Sequence, residues 1–160
     1  MKIYTKKGDG GKTFKGLAKS DDLIEALGAV DEANCWIGMC GESVGDKKID
    51  TELIKIQKNL LVIGARLAGS KKSISKGETK RLEKLIDVLN KDLPKITNFI
   101  LPKGVFQVTR AVVRRAERRI VGLGIEDKEI LKYVNRLSDA LFVIGRWVSK
   151  KRGMKEEVWK

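Results

Sequence analysis

Histidine is absent from all 160 residues. That removes imidazole metal ligands and every catalytic arrangement built on a histidine base, leaving Asp, Glu, Lys, Tyr or Cys for any proton transfer. Cysteine occurs twice, as Cys35 and Cys40. Five residues apart in a helical pattern, they form neither a CxxC pair nor a disulfide framework, and both are expected as reduced core thiols of a cytoplasmic protein. Proline also occurs twice and aromatics make up 6% of the chain; few prolines beside abundant Lys and Glu are compatible with thermophily. No apolar run approaches membrane-spanning length, and Met1-Lys-Ile-Tyr-Thr-Lys-Lys7 has no apolar signal core, so no membrane association is expected.

Charge is plentiful and lopsided. Thirty-four Lys and Arg face 21 Asp and Glu, a net charge of +13, beside 42% hydrophobic residues. The balance describes a globular protein with a real core and a preference for anionic partners, without choosing among nucleotides, nucleic acid or an acidic surface. The length suits one domain spanning 1–160, divided into an N-terminal loop (1–20), a helical bundle (21–152) and a short charged tail (153–160).

Hydrophobic spacing predicts five helices and no competing strand. The first runs from about Asp22 to Cys40, opened by an Asp22/Glu25 capping box and carrying Leu23, Leu27, Val30 and Ile37 inward, with Gly41 and Gly45 breaking the pattern. The second places Leu53, Ile56, Leu60, Ile63 and Leu67 in a seam. Ser75 and Glu78, at capping-box spacing, open the third, with Leu82, Leu85, Ile86 and Leu89 inward. Pro94 and Pro102 bracket an apolar connector, Phe99-Ile-Leu101, too short for a helix. The fourth contains an arginine-rich stretch and ends near Gly122 and Gly124; the fifth runs from about Lys128 to Lys151, with Leu131, Val134, Leu137, Leu141, Ile144 and Val148 inward. The fold class is an all-α five-helix bundle. The tail after Gly153 is expected to fray or to pack on a neighbour.

Two stretches concentrate the chemistry. In Arg110-Ala-Val-Val-Arg-Arg-Ala-Glu-Arg-Arg119, five arginines crowd into ten residues. On a helix, Arg110, Arg114 and Arg118 form one ridge at i, i+4, i+8, Glu117 lies within reach of Arg114, and Val112, Val113, Ala116 and Ile120 are the apolar side. Arginine suits forked contacts to carboxylate and phosphate, while a solvated basic face is the bland reading. In Thr5-Lys-Lys-Gly-Asp-Gly-Gly-Lys-Thr13, three glycines let the backbone approach an anion while three lysines and two threonines complete the contacts. It is not a P-loop: the first glycine of that motif would fall on Lys6, and no buried strand precedes it.

Together these stretches resemble the ATP:cob(I)alamin adenosyltransferases of the trimeric five-helix class, a ferritin-like bundle. The resemblance begins at Ile3-Tyr-Thr-Lys-Lys-Gly-Asp9, Lys19-Ser-Asp21 and Glu25-Ala-Leu-Gly-Ala-Val-Asp-Glu-Ala-Asn34. It continues through Ile56-Gln57, Ile63-Gly64, Phe99-Ile-Leu-Pro102, Arg114-Arg-Ala-Glu-Arg118 and Tyr133-Val-Asn-Arg-Leu-Ser-Asp139. It implies a homotrimer that moves the 5′-deoxyadenosyl group of ATP to the cobalt of reduced cobalamin, with Mg²⁺ on the phosphates. ATP would lie between subunits, wrapped by Thr5, Lys6, Lys7, Gly8, Lys12, Thr13 and Lys19 and faced by Arg114, Arg115, Glu117, Arg118 and Asn135 of the neighbour. Asp31 and Arg110 would pair across that interface and count, with Arg114, as catalytic residues. Phe99 would close the lower face of the corrin, with Asp139 nearby. A flavoprotein reductant and an adenosylcobalamin-dependent enzyme are the implied partners.

Two other readings compete. A basic helical nucleic-acid binder explains the charge, but aromatics are few and no recognised nucleic-acid motif is present. A non-catalytic relative that binds ATP or delivers adenosylcobalamin is motivated by the segment from Phe99 to Arg110, several residues shorter than the family's usual length.

Overall fold

A computed structural model describes residues 2–13 and 16–159. Its helices are α1 (Asp22–Val44), α2 (Lys47–Leu67), α3 (Lys76–Asn90), α4 (Val105–Gly122) and α5 (Lys128–Lys151). Three of the five starts carry an aspartate cap. Asp21 caps α1 by accepting from Leu23 N at 2.9 Å, and Asp46 caps α2 by accepting from Lys48 N and Ile49 N. Asp127 accepts from Ile130 N at the start of α5 and from Ser73 Oγ at 2.7 Å, tying the α2–α3 turn to that helix. The Ser73 hydrogen bond holds the Asp127 carboxyl below its usual range against some loss of solvation, helped by Ile130 N and Arg66.

Side-chain pairings fix the order and direction of the helices. α1 lies between α2 and α4, and α5 between α4 and α3. The two-residue turn Gly45–Asp46, with Gly45 left-handed at φ 68°, folds α2 back along α1. Cys40 meets Thr109, Glu32 pairs with Arg115 and Glu25 with Arg119, so α4 runs antiparallel to α1. Glu83 meets Arg136, and Trp147 Nε1 donates to Asp92, so α3 runs parallel to α5. The core lies along these seams: Ile37, Leu53, Ile56, Ile63, Leu82, Val113, Ile120, Leu137, Leu141 and Ile144 are essentially inaccessible. Each such side chain contributes about 1.5–3 kcal/mol relative to remaining exposed.

A polar knot crosses α2, α3 and α5. Arg81 grips Glu52 and Glu78, and Asn59 Nδ2 donates to Glu78 at 2.6 Å and to the Tyr133 hydroxyl at 3.1 Å. Burial would raise the Glu78 carboxyl, but the hydrogen bonds from Asn59 and Arg81 outweigh it and leave it below its usual range. Burial pushes the Tyr133 phenol up to about 12.

Several expectations need correction. α1 does not stop at Cys40 but runs through Gly41 to Val44. A Cβ on Gly41 would lie 2.9 Å from Asp50 Oδ1, so that glycine serves a close approach of α2 rather than a helix end. The first capping residue is Asp21 rather than Asp22, and Glu25 turns to Arg119. Ser75 makes no side-chain cap: Glu78 N donates to Ser75 O at 3.0 Å, and the Glu78 carboxylate turns to Asn59 and Arg81. Cys35 is exposed; Cys40 alone is a core thiol, pushed up to about 11 by burial against the partly opposing Thr109 hydrogen bond. Leu67, Leu85, Ile86 and Leu131 do pack against the core, though half-buried, and Leu23 and Leu27 are half-buried as well. Through Trp159 the tail is ordered within the subunit rather than frayed. It pairs with the chain's own connector through an Ile100–Val158 antiparallel bridge.

Helices α4 and α5 approach most tightly at Gly145. A Cβ there would fall 2.8 Å from Phe106 Cβ and 3.1 Å from Gln107 Nε2. Gly145→Ala is expected to destabilise by about 1–3 kcal/mol through overpacking. At about 2–4 °C per kcal/mol for a chain of this size, thermal unfolding would show it, and an unchanged Tm would mean the helices separate freely here.

Candidate functional site

The five arginines of α4 divide by helical position. Arg115 and Arg119 lean toward α1, paired with Glu32 and with Glu25 at 3.5 Å. Arg110 leans toward α5: its Nε donates to Gln107 Oε1 at 2.9 Å, and its guanidinium lies 5.9 Å from the centre of the Phe142 ring. Arg114 and Arg118 point outward between these two sides, both exposed and, among the described residues, without an acidic partner. Arg118 Nη1 donates to Arg114 O at 3.1 Å, holding the two cations along one outer line. Their apolar counterparts Val112, Val113, Ala116 and Ile120 are all buried as expected.

Glu117 does not pair with Arg114. It accepts from Asn135 Nδ2 at 2.8 Å, so the contact joins α4 to α5. Asp139 is bound to Arg136 at 2.6 Å, an i,i+3 pair on α5. Asp31 is exposed on α1 and makes no ion pair among the described residues. It lines a recess of about 230 Å³ between α1 and α2, with Leu27, Asn34 and Leu61. Within one subunit Asp31 and Arg110 therefore look out from opposite sides of α1 and α4.

The N-terminal loop is folded on itself. Thr13 N donates to Leu17 O at 2.8 Å and Lys19 N to Gly11 O at 3.0 Å, closing a bridge between Lys12 and Ala18. Gly11 and Gly16 are left-handed, as is Lys6 at φ 59°. The ammonium of Lys19 sits over Gly8, where a Cβ would be 3.5 Å from Nζ. Gly8, Lys12, Thr13 and Lys19 are thus gathered into one turn, while Thr5, Lys6 and Lys7 precede it as exposed residues. Thr13 Oγ1 is buried without a hydrogen-bond partner among the described residues, and an oxygen in that condition suits a phosphate or a hard cation.

A second recess, about 460 Å³, opens between the connector and the α4–α5 pair. Ile96, Thr97, Asn98, Phe99, Arg110 and Phe142 are among its walls. Phe99 is 77% exposed, so it is not core filling. Beside Phe142 lies Arg146, only 3% exposed, 5.8 Å from the ring centre and bonded to Glu156. Sequence reasoning missed Phe142, Arg146 and the tail. An arginine flanked by Leu141, Ile144 and Val148 on an inward stripe was the available signal for Arg146.

An open row of arginines, a glycine–lysine turn and an apolar recess define a five-helix protein suited to holding a polyanion beside a large, partly apolar molecule. The family model for cobalamin adenosyltransferase matches residues 3–148. The Bos taurus corrinoid adenosyltransferase MMAB is 39% identical, over 99% of this chain and 76% of its own length. That alignment runs over 183 positions, more than this chain has residues, so the bovine protein carries insertions relative to it. The Bacillus subtilis corrinoid adenosyltransferase is 34% identical, over 96% of this chain and 90% of its own. A variant PduO-type ATP:corrinoid adenosyltransferase from Lactobacillus reuteri, complexed with cobalamin and ATP, superposes with a TM-score of 0.91 at 32% identity, covering 99% of both chains. The chain belongs to the cobalamin adenosyltransferase family. Among the described residues no helix is long and apolar enough to cross a membrane.

Proposed function

We propose that this corrinoid adenosyltransferase carries out its reaction at a composite site, in which the N-terminal turn of one subunit and the outer α4 arginines of another grip the triphosphate of a single ATP. The enzyme transfers the 5′-deoxyadenosyl group of ATP to cobalt. A cobalt–carbon bond forms at C5′, the C5′–O bond breaks, and triphosphate departs with the bonding pair. The nucleophile is cobalt(I) itself, so a chain without histidine lacks nothing that the step requires.

The protein's task is orientation and charge. Lys12, Lys19 and the N–H groups of the turn would receive the phosphates on one side, with Thr5, Lys6, Lys7, Gly8 and Thr13 around them. Arg114 and Arg118 would meet them on the other, where negative charge grows on the leaving group. Arg115 joins only by exchanging Glu32 for phosphate, and Asn135 and Glu117 act as a hydrogen-bonded pair beside the nucleotide. Mg²⁺ belongs on the triphosphate, which supplies most of its oxygens, with the unsatisfied Thr13 hydroxyl a fitting donor and no carboxylate cage required.

The observation that carries the site is the outer line of Arg114 and Arg118, two exposed cations free of acidic partners among the described residues on a helix whose other arginines are engaged. Their outward direction favours a homotrimer in which a neighbour's turn covers them. Phe99 and Phe142 would form the apolar wall under the corrin, keeping a lower ligand and water from cobalt and making cobalt(II) easier to reduce. Asp139, held by Arg136, would act at the edge of the same pocket. Cobalt(I) must arrive by one-electron reduction, which a reduced flavoprotein can supply, and the product suits an adenosylcobalamin-dependent enzyme. The whole of 1–160 works as one domain in this scheme.

Anaerobic incubation with cob(I)alamin and MgATP tests it. Adenosylcobalamin absorbance should rise in step with free triphosphate, and native mass should be that of a trimer. Phosphate and diphosphate in place of triphosphate, or turnover by a monomer, would overturn the composite site.

A further inference from the structure

The connector between α3 and α4 has almost no backbone structure of its own. Among the described residues, the backbone–backbone hydrogen bonds of residues 94–103 all go to the C-terminal tail. Leu101 N donates to Glu157 O and Trp159 N donates to Phe99 O, each at 2.8 Å, around the Ile100–Val158 bridge. Lys103 pairs with Glu157 on the outside. Beneath, the Arg146 guanidinium takes both ends at once: Nε and Nη2 reach the Glu156 carboxylate at 2.5 and 3.1 Å, and Nη2 also reaches Pro94 O at 2.8 Å. One buried cation therefore clamps Pro94, near the start of the connector, to the tail.

This matters because of what the connector carries. The Phe99 ring is largely exposed, and the aromatic contact it makes is with Trp159, edge-on at 6.4 Å between centroids and 60° between planes. Trp159, itself 62% exposed, is not among the residues lining the recess and touches Phe99 alone of its aromatic walls among the described residues. A wall that excludes water and an axial ligand from a metal must hold its position, and an exposed ring on an unstructured segment does not do so unaided.

We propose that residues 154–159 form a strap that positions Phe99 at the corrinoid recess, with Trp159 and the Arg146–Glu156 pair as positioning residues for adenosyl transfer. This rests on the reading of Phe99 as the corrinoid wall. The strap explains how a short connector presents its aromatic side chain. It also assigns a role to a tail lying beyond residue 148, where the family match ends.

The test uses the full chain with Trp159→Ala, Trp159→Phe, Glu156→Gln and, alongside, Phe99→Ala. Three readouts are taken: KM for cob(I)alamin, KM for ATP with kcat, and the absorption spectrum of cob(II)alamin added to MgATP-loaded protein. Trp159→Ala is expected to lower kcat/KM for cob(I)alamin on the order of ten-fold, as misplacement of a reacting partner does. The KM for ATP should stay the same, and the cob(II)alamin spectrum should shift toward that of the ligand-bound form. Glu156→Gln should move the same quantities less, and Trp159→Phe should restore them. If Phe99→Ala shows the corrinoid defect while Trp159→Ala and Glu156→Gln behave as wild type, the strap is overturned and the wall stands. A Phe99→Ala enzyme with unaltered corrinoid kinetics overturns the wall and the strap with it. Equal loss of ATP and corrinoid binding in Trp159→Ala, with a lowered Tm, would make the tail a clamp on the fold and overturn the positioning role.

Discussion

Replacing Arg114 or Arg118 with alanine is expected to lower kcat by about 10²–10³-fold, the usual cost of removing one donor aimed at developing charge. The fold should survive. Both side chains are exposed and neither anchors another helix, so stability should change by no more than about 0.5 kcal/mol. Arg115→Ala provides the contrast: its guanidinium is already paired with Glu32 across the α1–α4 seam, so its loss should cost less turnover. Arg114→Lys and Arg118→Lys should retain part of the rate, because lysine keeps the charge but not the planar fork. Initial rates of adenosylcobalamin formation, with ATP affinity measured separately, check this. A wild-type kcat in both alanine variants would remove the leaving-phosphate role from α4 altogether.

The sequence made the helices legible because each has a seam at three- and four-residue steps. Leu53, Ile56, Leu60 and Ile63 are buried where that spacing places them. Boundaries were harder, since a glycine in sequence does not announce whether it ends a helix or admits a neighbour. Gly45 does the first and Gly41 the second. The site was legible in its charges and blurred in its pairings. The ridge Arg110, Arg114, Arg118 follows from helical geometry, yet which acids engage which arginines depends on how α1 and α5 pack against α4. Glu117 accordingly turned to Asn135 and Glu32 took Arg115. The tail was least legible. Its pairing with residues 99–101 joins segments more than fifty residues apart, through one isolated bridge and a buried Arg146, and no local periodicity encodes that.

Asp31→Asn and Arg110→Ala should each lower kcat/KM for ATP by about 10–100-fold, and the double variant should fall short of the product of the two by a coupling of at least about 0.5 kcal/mol. Within one subunit this pair does not form. Arg110 is turned to Gln107 and Phe142 on the α5 side of α4, whereas Asp31 looks onto the α2 side of α1. With α1 and α4 packed against each other between those two faces, a contact between the residues has to come from a second copy of the chain. Exposed in isolation, an ion pair is worth little; enclosed at an interface beside a nucleotide it loses water on both sides and its worth rises. Arg110→Ala alone also removes the stacking on Phe142, about 0.5–1 kcal/mol at a partly exposed site, but that part cancels in the cycle. The same variants should shift native mass toward smaller species at low protein concentration if the pair helps hold the copies together. Strict additivity with an unaltered mass would show that the two residues never meet, and the composite site would then have to be built without them.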